Sequence, residues 1–370
     1  MSEIEEISVL IIEDEAVHIQ VLQDAFDDFN EETPHLKILS RAVTSYKESL
    51  ELLLIENFDA VIVDLNLKQS TTKPEELEGN KIVDIIRDKL RLPIIIRTGY
   101  PTQFHSDLID ETNDFLTIYT KDDSTDNIIK DIIRWQKNGV SHTLGAKGVF
   151  EYYLNELFWV QISKNLTEWE QNEIDSASQE RSLIRYTLNV LQEYLEIDTE
   201  SGGYEHFHPA EVYIKPPVKE SLFFGDILKD EGERHFIILT PACEMAQGKC
   251  KKVLLARINE YDNVEKFMSS KERYLGNTES SKKKQVLEQW FRNGHSDGLG
   301  YHFLPSYSDF PGGLIDFQDV QTIDYDKIEL IKIATVTSQF AKDISSRFTS
   351  YYARQGQPSL NSELIIRNFT

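Results

Sequence analysis

Short apolar runs alternate with amphipathic stretches along the first 138 residues. Runs at 7–12, 36–43, 60–65, 93–97 and 115–120 read as strands, and the stretches 16–29, 46–56, 81–89, 102–111 and 126–136 read as helices. The strand runs show no in-and-out alternation, as expected of a sheet covered on both faces. Five such β–α units predict an α/β fold: a doubly wound, five-stranded parallel sheet with right-handed crossovers.

The pattern then changes. Residues 149–198 read as helical with a break near 172–178, and the segment VFEYYLNELFWV is apolar almost all round, which predicts burial. Leu183, Thr187, Val190, Leu191 and Tyr194 recur at helical spacing. From 204 onward the chain turns to short strands (EVYIK, FGDIL, HFIILT, KKVLLARI, LIDFQDV) separated by Pro and Gly, with a polar insertion at 262–300 and a returning helix at 338–352. The expected plan is a domain at 1–140, a helical connector at 141–203 and a β-rich, barrel-like α+β domain at 204–370.

Length supports more than one core, since 370 residues exceed what one hydrophobic core usually serves. No apolar run approaches the roughly 18 residues of a membrane span. The acidic start MSEIEEISVLIIEDE differs from a signal peptide, and two cysteines, Cys243 and Cys250, fit a reducing compartment, so a cytoplasmic location is expected. The net charge is −24, and residues 1–140 hold 14 basic against 29 acidic side chains. DNA, a line of negative charge, is therefore an unlikely partner, even with a local basic run at Lys282, Lys283 and Lys284.

In a doubly wound sheet, ligands gather at the carboxyl ends of the strands. Here those ends carry Glu13-Asp14-Glu15, Asp64, Thr98 and Lys121. Clustered carboxylates repel one another, so they call for a hard divalent cation with oxygen ligands. One of them, Asp64, can act as a nucleophile toward an activated phosphoryl group, while a hydroxyl and an ammonium hold its remaining oxygens.

At these residues the chain resembles the receiver domains of two-component response regulators, through VLIIEDE, AVIVDLNL, IIIRTGY and YTK in order over about residues 5–138. The resemblance implies a flavodoxin-like fold with Asp64 as the phosphorylation site. It implies Mg²⁺ held by Glu13, Asp14, Asp64 and the backbone carbonyl of Asn66, with Thr98 as switch hydroxyl and Lys121 as the phosphate-binding lysine. It also implies a histidine kinase or phosphotransfer protein as the phosphoryl source. Three features depart from the family pattern. Lys121 is followed by Asp122-Asp123 instead of proline. Ile118 stands where an aromatic switch residue is common, with Tyr119 expected on the opposite sheet face. The loop from Leu67 to Gly79 is several residues longer than usual.

The C-terminal part is similar in motif order to the PemK/MazF endoribonuclease toxins, small SH3-like barrels. Gly225-Asp226, Arg234 and Thr322-Ile323-Asp324 fall at matching points, which makes Arg234 a candidate site residue. The family's catalytic Thr or Ser is missing, since Arg257, Ile258 and Asn259 occupy the positions after VLLARI. His206, His208 and Cys243 were the other constellation to weigh, as zinc ligands. The expected function is a response regulator that signals through a protein-interaction domain instead of DNA, with a homodimer through the 149–198 helices as a further partner. The alternative is a phosphorylation-gated effector with a ribonuclease-like barrel.

Overall fold

The computed structural model describes residues 4–67, 77–104, 114–145, 148–164, 176–196, 202–203, 206–354 and 358–369. The chain divides into two compact units, Met1–Glu205 and His206–Thr370.

The first unit is built on five strands: β1 (Glu5–Ile12), β2 (Leu36–Val43), β3 (Ala60–Val63), β4 (Ile94–Thr98) and β5 (Leu116–Thr120). They form one parallel sheet in the order β2-β1-β3-β4-β5, the flavodoxin-like doubly wound arrangement. Helices α1 (Ala16–Glu32), α2 (Tyr46–Ile55), α3 (Glu78–Lys89) and α4 (Thr125–Lys137) cover it. The missing alternation in the strand sequences has a direct cause. Leu10 and Ile12 point into one core, with Leu53 of α2 and Ile82 of α3. Ile7, Val9 and Ile11 point into another, with Phe26 of α1 and Trp135 of α4. Both faces of each central strand are therefore apolar. Ser45 and Ser124 cap α2 and α4 by accepting backbone N–H bonds from Glu48 and Asp126. Pro101–Gln103 form a 3₁₀ turn at the start of the expected helix at 102–111; the rest of that stretch from 105 on and most of the long loop after Leu67 lie outside the described residues.

Two short helices follow, α5 (Val140–Leu144) and α6 (Val149–Leu157). A π-helical turn, Phe158–Ile162, extends α6, and α7 (Ser176–Tyr194) packs back on it through Leu157, Ile162 and Leu191. The all-round burial expected of 149–160 is not what forms. Tyr152, Phe158 and Trp159 are 65%, 48% and 68% exposed. The break near 172–178 lies mostly outside the described residues.

The second unit carries one antiparallel sheet that curls into a half-barrel. Its strands are β6 (Tyr213–Ile214), β7 (Asp226–Lys229), β8 (His235–Ile238), β9 (Lys252–Asn259), β10 (Tyr301–Leu304), β11 (Gly313–Asp324) and β12 (Ile331–Val336), in the order β10-β11-β9-β8-β7-β12-β6. A short helix, α8 (Ala242–Ala246), links β8 to β9. The polar insertion at 262–300 is a helix pair, α9 (Glu265–Leu275) and α10 (Ser281–Phe291), with its own core of Phe267, Leu287 and Trp290. Helix α11 (Ser338–Ala353) packs Ala341 and Ile344 into the main core, and a short exposed helix, α12 (Ser362–Ile366), follows it. Strands β10 and β12 had no clear counterpart in the sequence pattern. Asp226, at the start of β7, is fully buried, accepts from Phe223 N and Thr335 Oγ1, and pairs with Lys332 at 2.8 Å.

Candidate functional site

The carboxyl ends of β1, β3, β4 and β5 bring together the acids, the hydroxyl and the lysine singled out in the sequence. Parallel pairing sets their level: Asp64 N donates to Ile12 O and Glu13 N to Val43 O. One carboxylate oxygen from each of Glu13, Asp14 and Asp64 lies within 4.8 Å of the others, and this is the one such cluster of potential ligands among the described residues. Glu13 and Asp64 are each 4% exposed and Thr98 is fully buried, whereas Asp14 is half-buried.

Lys121 closes the group. Its Nζ lies 2.9 Å from Glu13 Oε2 and 2.9 Å from Asp64 Oδ2. Burial alone would lower the lysine pKa. The hydrogen bonds and charges of Asp64 and Glu13 outweigh it and raise the value, which keeps the ammonium charged. Glu13 is pushed up, first by burial and then by the Asp64 charge, against the lowering pull of Lys121.

The hard oxygen donors of the trio suit Mg²⁺. Beside them, Asn66 Oδ1 is buried with no hydrogen-bond partner, while Asn66 N donates to Asp64 Oδ1 at 3.3 Å. Thr98 Oγ1 accepts from Tyr100 N at 3.3 Å, so its proton stays free for another acceptor. Gly79, in the first turn of α3, allows a close approach to the Asp64 loop. A Cβ there would lie 2.3 Å from Asp64 O and 2.4 Å from Leu65 Cα.

Arg97 was missed in the sequence. It ends an isoleucine run, is 3% exposed, and donates to Lys121 O at 3.2 Å, while its Nε and one terminal nitrogen have no partner. Burial lowers its pKa, and the Glu13 and Asp64 charges oppose that shift. The only available signal was an arginine following three consecutive isoleucines in a strand.

Two of the three departures are visible in the structure. Asp123 does not face the acids; its carboxylate accepts from Thr120 N (2.6 Å) and Thr120 Oγ1 (2.8 Å) and braces the turn after Lys121. Ile118 packs in the α2/α3 core, and Tyr119 in the α1/α4 core, where its hydroxyl donates to Asp131 at 2.7 Å. In the second unit, Arg234 is exposed and its Nε is bound by Asp230 at 2.7 Å. His208 spends its Nδ1 capping a short 3₁₀ turn, accepting from Ala210 N, and Cys243 is exposed.

No family model and no curated protein matches the chain. Solved structures do. A Francisella response-regulator receiver domain matches at 20% identity and TM-score 0.28, covering 35% of this chain and 97% of its own. A CheY-like receiver domain from Methylobacillus flagellatus matches at 16% identity and TM-score 0.27, covering 35% and 99%. Another, from Methanospirillum hungatei JF-1, matches at 15% identity and TM-score 0.28, covering 36% and 100%. No helix among the described residues is long and apolar enough to cross a membrane. The first unit, by its own strand order, has the flavodoxin-like fold.

Proposed function

We propose that the first unit is a phospho-accepting receiver and that Asp64 takes the phosphoryl group from a histidine kinase or a phosphotransfer protein. The supporting observation is the rim itself: three carboxylates, one lysine bridging two of them, and a buried threonine with a free proton. An Asp64 oxygen attacks phosphorus as the bond to the donor breaks, and the bonding pair leaves with the donor. Glu13, Asp14, Asp64 and the Asn66 carbonyl would hold Mg²⁺, which would supply positive charge to the transferring group. Lys121 then exchanges a carboxylate for a phosphoryl oxygen, and Thr98 donates to another. The second unit transmits the state to a protein partner, since the net charge of −24 opposes DNA.

The test is intact-mass analysis after incubation with acetyl phosphate and Mg²⁺. One phosphoryl increment is expected in the native chain and none in Asp64→Asn. Absence of the increment in the native chain, or its survival in the variant, defeats the assignment.

A further inference from the structure

The second unit contains a cavity of about 700 Å³, within the range of small-molecule sites, that the receiver reading leaves without a role. Its walls are aromatic. Phe207 and Phe340 meet edge-to-face at 5.7 Å, and Phe291 and Phe303 lie 4.9 Å apart. Phe207 and Phe291 are each 44% exposed, so apolar rings face the opening where water would otherwise sit.

The polar members are few. His302, on β10, is 4% exposed, lines the cavity, and its Nδ1 has no hydrogen-bond partner. Its tautomer follows from the neighbours. Asn293 Oδ1 accepts from Phe303 N at 2.7 Å, which turns the Asn293 amino group toward His302 Nε2, 3.5 Å away. That nitrogen is then the acceptor, and Nδ1 carries the proton. Burial keeps the ring neutral, with its pKa pushed down to about 3 and the nearby Arg347 charge adding to the effect. The Nδ1–H lies beside Asp343 of α11, with Oδ2 3.7 Å away, too far for a full bond. Asp343 therefore offers the cavity a carboxylate with no close hydrogen-bond partner among the described residues, though it sits in the field of the Arg347 charge. Arg292 stands in the same wall, 75% exposed, with only a 3.8 Å contact to Glu288.

We propose that this cavity binds a mononucleotide, with the base between the phenylalanines, its amino group on Asp343 and its phosphate toward Arg292. The chemistry selects this class. A flat heteroaromatic ring stacks on aromatic walls and carries N–H donors at its edge, where a carboxylate can receive them. A phenyl or aliphatic group filling the same space would leave Asp343 desolvated and unpaired. A nucleic-acid polymer would meet the repulsion of a chain at −24, whereas a single phosphate carries at most about two charges. The assignment is independent of phosphorylation at Asp64.

Calorimetric titration of the full chain with guanosine, adenosine and uridine monophosphates tests it. Guanosine and adenosine monophosphates are expected to bind. Uridine monophosphate, lacking the exocyclic amino group, should bind at least tenfold more weakly. Asp343→Asn and Phe207→Ala alter exposed side chains and should keep the circular dichroism spectrum unchanged, while each weakens guanosine monophosphate at least tenfold. Failure of all three nucleotides to bind at millimolar concentration overturns the proposal. So does a Kd for guanosine monophosphate that Asp343→Asn leaves unchanged.

Discussion

Arg97 sits 3% exposed beneath a cluster of three acids, with two guanidinium nitrogens unpartnered. Such a group is costly to bury unless nearby charge compensates it, and Glu13 and Asp64 provide that charge. Together Lys121 and Arg97 bring two positive charges to the three negative ones. The cluster consequently attracts a divalent cation less than its acid count implies. Arg97→Met keeps the volume and removes the charge. We expect Mg²⁺ to bind the variant about tenfold more tightly, an energy of roughly 1.4 kcal/mol, when both proteins are titrated by calorimetry. An unchanged affinity would show that the guanidinium is screened from the site. Asp64 was legible in the sequence because a single acid terminates an otherwise apolar strand. Arg97 was not, because a charged residue near a strand end normally reads as the point where the chain leaves the core. Only the tertiary fold shows that it stays inside. His302 and Asp343 were illegible for a different reason: their neighbours come from residues 207, 291–293, 302–305 and 339–343, and no local pattern joins them.

Among the elements, the position of α3 depends on a missing side chain next to the acidic rim. Its first turn approaches the Asp64 loop closely enough that Gly79 has no room for a methyl group. The nearest atoms are backbone, which cannot swing aside as a flexible side chain would. Gly79→Ala should move the start of α3 away from Asp64, cost about 1–3 kcal/mol of stability, and slow phosphorylation by acetyl phosphate. Thermal melting and the rate of the mass increment read the two effects. Native stability with a native rate would mean that the loop relaxes freely. The strands of this sheet were readable because both faces are apolar, and their ends shifted only by a residue or two. The pair α9 and α10 reads in the sequence only as a polar insertion, since its few apolar residues face a small core of their own. The π-helical turn after α6 misled in the opposite direction. It widens the helix by one residue, so a 3.6-residue period no longer tells which aromatic groups are covered.

At the level of the whole chain, the two units hold separate cores. Calorimetry should therefore resolve two unfolding transitions. Asp226 allows them to be assigned. It is fully buried, accepts from Phe223 N and Thr335 Oγ1, and neutralises Lys332. Asp226→Ala leaves that ammonium in the interior without its counter-charge, held only by the carbonyls of Lys219 and Ser221, a change that costs about 3–5 kcal/mol in comparable buried pairs. Only one transition should fall, and the Asp64 adduct should form at the native rate. A shift of both transitions together would show that the units unfold as one. No family model matches the toxin-barrel resemblance read in the sequence, and the aspartate of its Gly-Asp pair is a buried structural charge here.

The placement of Lys121 gives the acidic rim a built-in rival. Its ammonium already occupies oxygens of Glu13 and Asp64, at 2.9 Å from each. A cation arriving from solution must evict it before claiming those atoms. Measured affinity is then the intrinsic affinity scaled by the fraction of molecules whose lysine has swung out. A binding isotherm for this protein reports the departure of its own side chain as much as the arrival of the metal.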